Sequence, residues 1–241
     1  MTFGGNKKKC PGFIAVAIDG PAGAGKSTVA KRLAQRLGFA FLDTGAMYRA
    51  LTLKAMRLGL KLEDELALTA LAQNTKIDLE DKGEGLIVSL DGEDVSQNIR
   101  TVEVTNNTFY IARVSGVRAI LVRWQQEIGA CRNVVAEGRD IGTVVFPRTK
   151  YKFYLDADVE ERAKRRHAEL TAKGKPIDFE EVLKDVRDRD HKDFTRKVGP
   201  LKKAEDAVVI DSTKMTVEEV IDTLCKHIIG ETKDKMTKDK I

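Results

Sequence analysis

The sequence predicts an α/β fold in which a five-stranded parallel sheet carries helices on both faces. Five short, near-continuous apolar runs recur along the chain, and stretches with helical periodicity separate them. Strands that are apolar throughout, rather than alternately apolar and polar, are typical of a parallel sheet buried on both sides. A length of 241 residues suits one compact domain that carries small inserts.

Each predicted strand runs into an acidic residue. The strands span 13–18, 39–42, 133–136, 151–155 and 207–210, and the acids that follow them are Asp19, Asp43, Glu137, Asp156 and Asp211. In such folds ligands bind beyond the carboxyl ends of the strands, so we expect these acids at the binding edge. The first two helices, 27–37 and 45–58, are closed by Gly38 and Gly59, which are typical just past a helix end.

Two regions interrupt this alternation of strands and helices. Residues 77–98 form short strand-like runs with turns at 83–85 and 91–92, which predicts a small antiparallel insert. Residues 158–196 are intensely charged, and a helix that begins at an Asp158 cap is predicted there. That helix carries Arg162, Arg165 and Arg166, and it ends at Lys173-Gly174-Lys175-Pro176.

Composition narrows the class of protein. Apolar residues make up 42% and charged residues 33%, which is typical of a globular protein, and no apolar run approaches the roughly 18 residues of a membrane span. Three scattered cysteines and three scattered histidines do not indicate a disulfide framework or a structural zinc. The net charge of +5 fits phosphorylated substrates, and with one Trp and no nucleic-acid motif we expect no nucleic-acid or membrane partner. We expect a monomer in the cytoplasm.

The clearest motif is a phosphate loop, G-x-x-x-x-G-K-[ST], between the first predicted strand and helix. Its residues are Gly20, Pro21, Ala22, Gly23, Ala24, Gly25, Lys26 and Ser27, and Thr28 follows as a further expected ATP-binding residue. The glycines let backbone N–H groups turn towards a triphosphate, and the helix N-terminus adds favourable potential. Lys26 can reach the β- and γ-phosphates, and the Ser27 hydroxyl can ligate Mg²⁺.

The arginines distinguish a kinase from other phosphate-loop proteins. The Asn-Lys-x-Asp motif of GTPases is missing, and the apolar run before Glu137 leads into Gly138-Arg139-Asp140 rather than the Asp-Glu of motor ATPases. A small-molecule kinase brings two anions together and needs clusters of cations. Such arginines follow successive strand ends, and on a helix Arg189, Asp193 and Arg196 would share one face. Taken alone, the charged helix is also typical of a solvated face.

Several stretches resemble the bacterial cytidylate kinases, a family of nucleoside monophosphate kinases. They are IDGPAGAGKSTVAKRLA from Ile18, LDTGAMYRALT from Leu42, GEDVSQNIRT from Gly92, EGRDIGTVVFP from Glu137, YLDADVEERAKRR from Tyr154, RDRDHKDFTR from Arg187 and VVIDST from Val208. Together they extend from about residue 13 to 229. The phosphate loop is common to many families, whereas TGAMYR, GRDIGT and RDRDxxDxxR together are much more specific.

The resemblance implies a phosphate-loop kinase core at residues 13–230, with a mobile lid at about 158–177 and an acceptor-binding insert at about 60–115. Residues 1–12 and 231–241 would be flexible tails. It also implies ATP-dependent, Mg²⁺-assisted phosphorylation of CMP and dCMP in pyrimidine nucleotide metabolism. The implied catalytic residues are Lys26, Arg139, Arg162, Arg165 and Arg166.

The resemblance also assigns the acceptor site. The implied phosphate contacts are Arg49, Arg139 and Arg196, the implied contacts to the cytosine edge are Arg118 and Asp140, and the remaining acceptor residues are Thr44, Arg189 and Asp193. Cytosine offers an N4 donor beside the N3 and O2 acceptors, so a carboxylate with an arginine can recognise it, whereas the O4 of uracil repels a carboxylate.

One position departs from the family. Phe109 stands where family members carry a small hydroxyl residue against the base, and its neighbours are Thr108 and Tyr110.

UMP, AMP or a non-nucleotide such as shikimate remain alternative acceptors. A nucleotide-dependent switch or a nucleic-acid-binding ATPase is the alternative from another class of protein.

Overall fold

The computed structural model describes residues 12–81, 86–172, 174 and 177–238. The strands are β1 (Ala15–Asp19), β2 (Ala40–Asp43), β3 (Ile77–Asp81), β4 (Leu86–Leu90), β5 (Glu93–Asp94), β6 (Val134–Gly138), β7 (Tyr151–Asp156) and β8 (Val208–Asp211). The α-helices are α1 (Lys26–Leu37), α2 (Thr44–Arg57), α3 (Glu65–Gln73), α4 (Val102–Ala112), α5 (Ser115–Cys131), α6 (Val159–Ala172), α7 (Phe179–Thr195) and α8 (Val217–Lys238). A 3₁₀ turn at Asn98–Arg100 and a π-helical turn at Ile141–Val145 lie between them.

The predicted five-stranded parallel sheet is confirmed. Its order is β2–β6–β1–β7–β8, and all of its neighbouring strands run parallel. The register aligns the strand ends, because Asp43 pairs with Glu137 and Asp156 pairs with Asp211. The acids at the strand ends therefore lie along one edge of the sheet, as predicted.

Helices cover both faces of this sheet. On one face Val16 and Ile18 of β1 belong to an apolar cluster that includes Leu33 of α1 and Ile221 of α8. The intervening Ala17 belongs to a second cluster, whose other members include residues of α2, α3 and α5. Since neighbouring residues of a strand point to opposite faces, the apolar run of β1 supplies both cores.

The small antiparallel insert is also confirmed. Strands β3, β4 and β5 pair in that order, and the turn predicted at 91–92 lies between β4 and β5; the turn predicted at 83–85 is outside the described residues. Ion pairs fasten the insert to α2: Lys54 lies 2.6 Å from Asp91, and the Arg57 guanidinium bonds both carboxylate oxygens of Glu93. The insert therefore braces the helix whose first turn borders the binding edge.

The charged segment folds into the helix pair α6 and α7, which has an apolar cluster of its own. Asp158 accepts a hydrogen bond from the backbone N–H of Glu160 at 2.8 Å, as expected of a cap. The prediction that Arg196 lies on a helix is wrong, because α7 ends at Thr195 and Arg196 has extended backbone. Its Nη1 still lies 3.7 Å from Asp193 Oδ1.

The proposed domain limits stay predictions. The helix α8 continues to Lys238, through most of the stretch predicted as a C-terminal tail, and residues 1–11 are outside the described part of the chain. None of the described helices is both long and apolar enough to cross a membrane.

Candidate active site

A cleft of about 1290 Å³ opens at the carboxyl edge of the parallel sheet. Its walls come from the phosphate loop, the start of α2, the helices α4, α6 and α7, the residues that follow β6 and the loop that follows β8. The predicted residues that line it are Ala22, Gly23, Ala24, Gly25, Lys26, Ser27, Thr28, Thr44, Arg49, Arg118, Arg139, Asp140, Arg165, Arg166, Arg189, Asp193 and Arg196. The fold thus brings the two predicted groups of residues, for the donor and for the acceptor, into one space.

The phosphate loop needs glycine where the backbone is most constrained. Gly20 has φ 148°, and a Cβ there would lie 2.0 Å from the carbonyl oxygen of Leu155. Lys26 is 5% exposed and its Nζ donates a hydrogen bond of 2.6 Å to the carbonyl oxygen of Pro21. Burial and the nearby Arg139 lower the pKa of Lys26 to about 7. A bound phosphate would favour the charged form of this amine.

Two neighbouring residues, one at the start of α1 and one in β6, fit a magnesium ion. The Ser27 hydroxyl donates a hydrogen bond to the carboxylate of Glu137, which is buried near the end of β6. Burial, together with the neighbouring Asp43, raises the pKa of Glu137. Hydroxyl and carboxylate oxygens are ligands that Mg²⁺ accepts, and phosphate oxygens of a nucleotide usually complete its coordination.

Arg162 packs against the phosphate loop. Its Nε donates to the carbonyl oxygen of Ala157 at 2.9 Å, and its Nη1 donates to the carbonyl oxygen of Ala22 at 3.1 Å and lies 2.7 Å from Asp190 Oδ2. With 6% of its surface exposed, this side chain braces the loop from the protein side. The catalytic role implied for it stays a prediction.

Arg165 and Arg166 differ from Arg162 in that they face the cleft. Arg165 is bound by Glu161 at 3.0 Å and by the hydroxyl and carbonyl oxygens of Ser212 at 3.2 and 2.7 Å. Arg166 pairs with Glu169 of its own helix at 2.8 Å. Of the three predicted lid arginines, these two can therefore approach a bound nucleotide.

The start of α2 holds Arg49 at the acceptor side. Asp43 caps this helix by accepting a 2.8 Å hydrogen bond from Ala46 N, and its other oxygen lies 3.0 Å from Arg49 Nη2. Among the described residues, the Nε of Arg49 is buried without a hydrogen-bond partner. The Thr44 hydroxyl donates to the carbonyl oxygen of Glu137 at 2.7 Å, so this predicted substrate residue also ties α2 to β6.

Arg118 and Asp140 form a buried ion pair at the acceptor side. Their side chains are only 6% and 9% exposed, and Arg118 also donates to the Tyr48 hydroxyl at 3.2 Å. Burial raises the pKa of Asp140, and the charge of Arg118 opposes that shift. The pair offers a carboxylate and a guanidinium side by side, which is the combination expected for a cytosine edge.

Three of the predicted arginines converge around Asp193. Arg139 Nε lies 2.6 Å from Asp193 Oδ2, and Arg196 Nη1 lies 3.7 Å from the other carboxylate oxygen, Oδ1. Burial and the neighbouring Arg139 lower the pKa of Arg189 to about 10. So many cations in one place indicate a site for an anion such as a phosphate.

Some residues near the site have a role that the sequence does not predict. Asp19 accepts 2.8 Å hydrogen bonds from Ile141 N and Gly142 N, and so fixes the turn that follows Asp140. The loop 212–217, which matches no phosphate-binding motif, also lines the cleft beside the phosphate loop. Its place directly after the last strand of the sheet was the available signal.

Phe109, where the sequence departs from the family, lines the same cleft. Its ring centroid lies 5.7 Å from the guanidinium carbon of Arg113 and 5.9 Å from the ammonium nitrogen of Lys192. The departure therefore puts an aromatic surface at the cleft wall. The neighbouring Thr108 also lines the cleft, and its hydroxyl donates to the carbonyl oxygen of Val104 at 2.7 Å.

Comparisons with known proteins agree with the sequence motifs. Residues 16–229 match the family model for cytidylate kinase. The chain is 52% identical over 209 residues to the cytidylate kinase of Desulforamulus reducens, covering 87% of this chain and 94% of that protein. It is 48% identical over 223 residues to the cytidylate kinase of Caldanaerobacter subterraneus, covering 92% and 98%. Among solved structures, the shikimate kinase of Acinetobacter baumannii in complex with shikimate matches with a TM-score of 0.42 at 15% identity, over 91% of this chain and 94% of that one. The resemblance is confirmed, and the chain belongs to the cytidylate kinase family.

Proposed function

We propose that this protein transfers the γ-phosphoryl group of ATP to CMP and dCMP, forming ADP with CDP or dCDP. Family membership at about half sequence identity supports the reaction class. The observation that carries the proposal is one cleft that contains both the phosphate loop and the buried Arg118–Asp140 pair. A triphosphate donor and a cytosine acceptor would meet between them.

The donor side holds the triphosphate. Backbone N–H groups of the phosphate loop and the ammonium group of Lys26 bind its phosphate oxygens, and Arg165 and Arg166 approach the transferred group from α6. When bound, a magnesium ion held by Ser27 and the phosphates would neutralise part of the charge on the transferred group. The protein's own contribution is to fix the position of the γ-phosphate and to exclude water from it.

The acceptor side holds the phosphate of the nucleoside monophosphate. Arg49, Arg139 and Arg196 bind it, and their carboxylate partners Asp43 and Asp193 keep them in position beforehand. An acceptor phosphate oxygen attacks the γ-phosphorus in line, and the bond to the oxygen shared with the β-phosphate breaks, with the electron pair leaving on ADP. No general base is needed, because the attacking phosphate is already an anion.

The buried ion pair selects the base. The carboxylate of Asp140 accepts a hydrogen bond from the N4 amino group of cytosine, and the guanidinium of Arg118 donates to the N3 or O2 acceptor. Uracil presents O4 in place of the amino group, and the ionised carboxylate repels it. A polar group left unpaired in a buried site is costly, so this arrangement discriminates between the two pyrimidines.

An ADP-release assay tests the proposal. ATP and Mg²⁺ are combined with CMP, dCMP, UMP, AMP, shikimate or no acceptor at equal concentrations, and separate samples contain RNA or DNA. We expect strong turnover with CMP and dCMP and weak turnover with UMP and AMP. If turnover is higher with UMP, AMP or shikimate than with CMP, that compound is the acceptor instead. ATP hydrolysis that RNA or DNA stimulates, without phosphorylation of any acceptor, would favour a nucleic-acid-binding ATPase.

We further propose that the protein acts as a monomer in the cytoplasm with ATP and CMP or dCMP as its partners, and with no nucleic acid or membrane. Size-exclusion chromatography with light scattering tests the oligomeric state, and a mass of twice the 26.7 kDa of the chain would contradict it.

A further inference from the structure

Ser212 connects three parts of the donor side. It follows β8 directly and is 3% exposed. Its backbone N–H donates to the carbonyl oxygen of Asp156 at 2.8 Å, and its hydroxyl oxygen lies 3.0 Å from that same carbonyl oxygen. The hydroxyl oxygen also lies 3.4 Å from the carbonyl oxygen of Ala24 in the phosphate loop. A single side chain therefore joins the end of β7, the end of β8 and the phosphate loop.

The same residue fixes the guanidinium of Arg165. The hydroxyl oxygen of Ser212 accepts from Nη1 at 3.2 Å, its carbonyl oxygen accepts from Nη2 at 2.7 Å, and Glu161 binds Nε at 3.0 Å. All three nitrogens of the guanidinium thus have partners, and these partners lie on two different elements. Since a guanidinium is planar, contacts to all three nitrogens determine both its position and its plane.

This position is next to the phosphate loop. A Cβ built on Gly25, within the phosphate loop, would lie 4.0 Å from Arg165 Nη1. The other two lid arginines are held differently. Arg162 is buried against the protein side of the loop, and Arg166 pairs only within its own helix in the contacts described above. Arg165 is therefore the arginine of α6 that both faces the cleft and is anchored to the sheet edge.

We propose that Ser212 is a positioning residue, which holds Arg165 beside the phosphate loop so that its guanidinium meets the transferred phosphoryl group. The inference rests on the proposed kinase function, because it concerns the donor side of the same cleft. A freely rotating arginine would have to lose its side-chain entropy in each turnover, whereas one fixed beforehand does not. Arg165 is then the lid arginine whose loss affects turnover most.

A double-mutant cycle tests this inference. The proteins are wild type, Ser212→Ala, Arg165→Ala and the double variant, and Ser96→Ala is the matched control. The Ser96 hydroxyl likewise bonds the backbone, because its oxygen accepts from the N–H of Val88 at 2.9 Å, but Ser96 lies in the antiparallel insert. The kcat and KM for ATP and CMP are measured for each protein, together with the urea midpoint of unfolding.

We expect Ser212→Ala to lower kcat about 10-fold in the wild-type background. This is the low end of the effect of losing a hydrogen bond to a charged group, because alanine keeps the backbone carbonyl oxygen that binds Arg165. The KM for CMP should change less than about 2-fold, and in the Arg165→Ala background the same substitution should change kcat less than about 2-fold. A substitution that only loosened the fold would lower kcat equally in both backgrounds. If Ser212→Ala does not fold, the nearly isosteric Ser212→Cys replaces it.

Each remaining outcome decides the question. Equal losses of kcat in the two backgrounds, or a Ser212→Ala protein with the kcat of wild type, would overturn the positioning role while leaving the proposed function intact. A wild-type protein that phosphorylates none of the nucleoside monophosphates would overturn the proposed function, and this inference with it.

Discussion

Replacement of Asp140 by asparagine tests how the cleft distinguishes cytosine from uracil. Asp140 and its partner Arg118 are almost fully buried, so solvent screens their charges little. A hydrogen bond to a charged group contributes about 1.5–3 kcal/mol. Removing the charge while keeping the size of the side chain should therefore lower kcat/KM for CMP about 10- to 150-fold. The value for UMP should fall less or rise, because the amide N–H of asparagine can donate to O4.

The assay is ADP release with CMP and with UMP, for wild type and Asp140→Asn. Asp78→Asn is the control, since it removes one carboxylate charge from a side chain that is 55% exposed on the insert. Loss of one partner of a buried ion pair can cost about 3–5 kcal/mol of stability, so urea unfolding accompanies the kinetics. A folded Asp140→Asn protein that keeps the wild-type ratio of CMP to UMP would refute recognition of the base by Asp140.

Three further predictions concern the phosphate loop. Lys26→Ala should lower kcat about 100- to 1,000-fold, as loss of a group that stabilises transition-state charge does; CMP binding measured by calorimetry should stay nearly unchanged, and normal turnover would contradict the assignment. Because burial and Arg139 lower the pKa of Lys26 to about 7, much of the free protein has a neutral amine at pH 8, and phosphate raises that pKa again. ATP binding at pH 8 should therefore take up protons, seen as a binding enthalpy that depends on the buffer; Lys26→Met should abolish the uptake, and a buffer-independent enthalpy for wild type would refute it. Gly20→Ala should destabilise the fold by about 3 kcal/mol or more in urea unfolding, because its Cβ would overlap the carbonyl oxygen of Leu155. The control Gly230→Ala, in open space on α8, should stabilise by about 0.5–1 kcal/mol, and equal effects of the two substitutions would contradict the steric argument.

The parallel sheet and the phosphate loop could be predicted because their signals are local. An apolar run such as that of β1 is buried on both faces wherever it lies in the sheet, so its pattern alone identifies it. The glycines of the loop are required by backbone conformation and close approach, as the φ of 148° at Gly20 illustrates. The rule that parallel strands end at one edge predicted that Asp43 and Glu137 lie at the same edge, and the register pairs them there.

The partners of the site residues could not be predicted in the same way. Arg118 bonds with Tyr48, which is 70 positions away, and no local pattern specifies such a contact. Spacing put Arg162, Arg165 and Arg166 on one helix, but it did not show that Arg162 would be buried against the phosphate loop while the other two face the cleft. Which side of a charged helix is buried depends on what packs against it.

Helix ends are similarly hard to predict. The spacing of Arg189, Asp193 and Arg196 suggested a common helical face, yet α7 stops one residue short of Arg196. The side chain of Arg196 nevertheless reaches Asp193 from extended backbone. The predicted cluster of Arg196 with Asp193 therefore forms although Arg196 is not helical, because a long side chain can reach its partner from a different backbone conformation.

The acidic residues of the cleft also position the arginines that are proposed to bind phosphate. Asp193 binds Arg139 and Arg196; although burial opposes its ionisation, Arg139 and Arg189 hold its pKa below the ordinary value. It therefore stays charged and keeps these arginines in the cleft before any phosphate arrives. Without such partners, several buried cations would repel one another and turn towards solvent.

In the proposed reaction, the same carboxylate partners would also limit how tightly phosphate binds. Each arginine proposed to contact a phosphate would have to share or exchange a carboxylate, so part of the attraction is offset before binding begins. The benefit is that the guanidinium groups are already oriented, and a kinase gains more rate from oriented charges than from tight binding of the ground state. The same reasoning applies to Arg165 of α6, which is fixed by Glu161 and Ser212 rather than left free. Pairing of the arginines within the protein is therefore part of how this cleft is prepared for phosphoryl transfer.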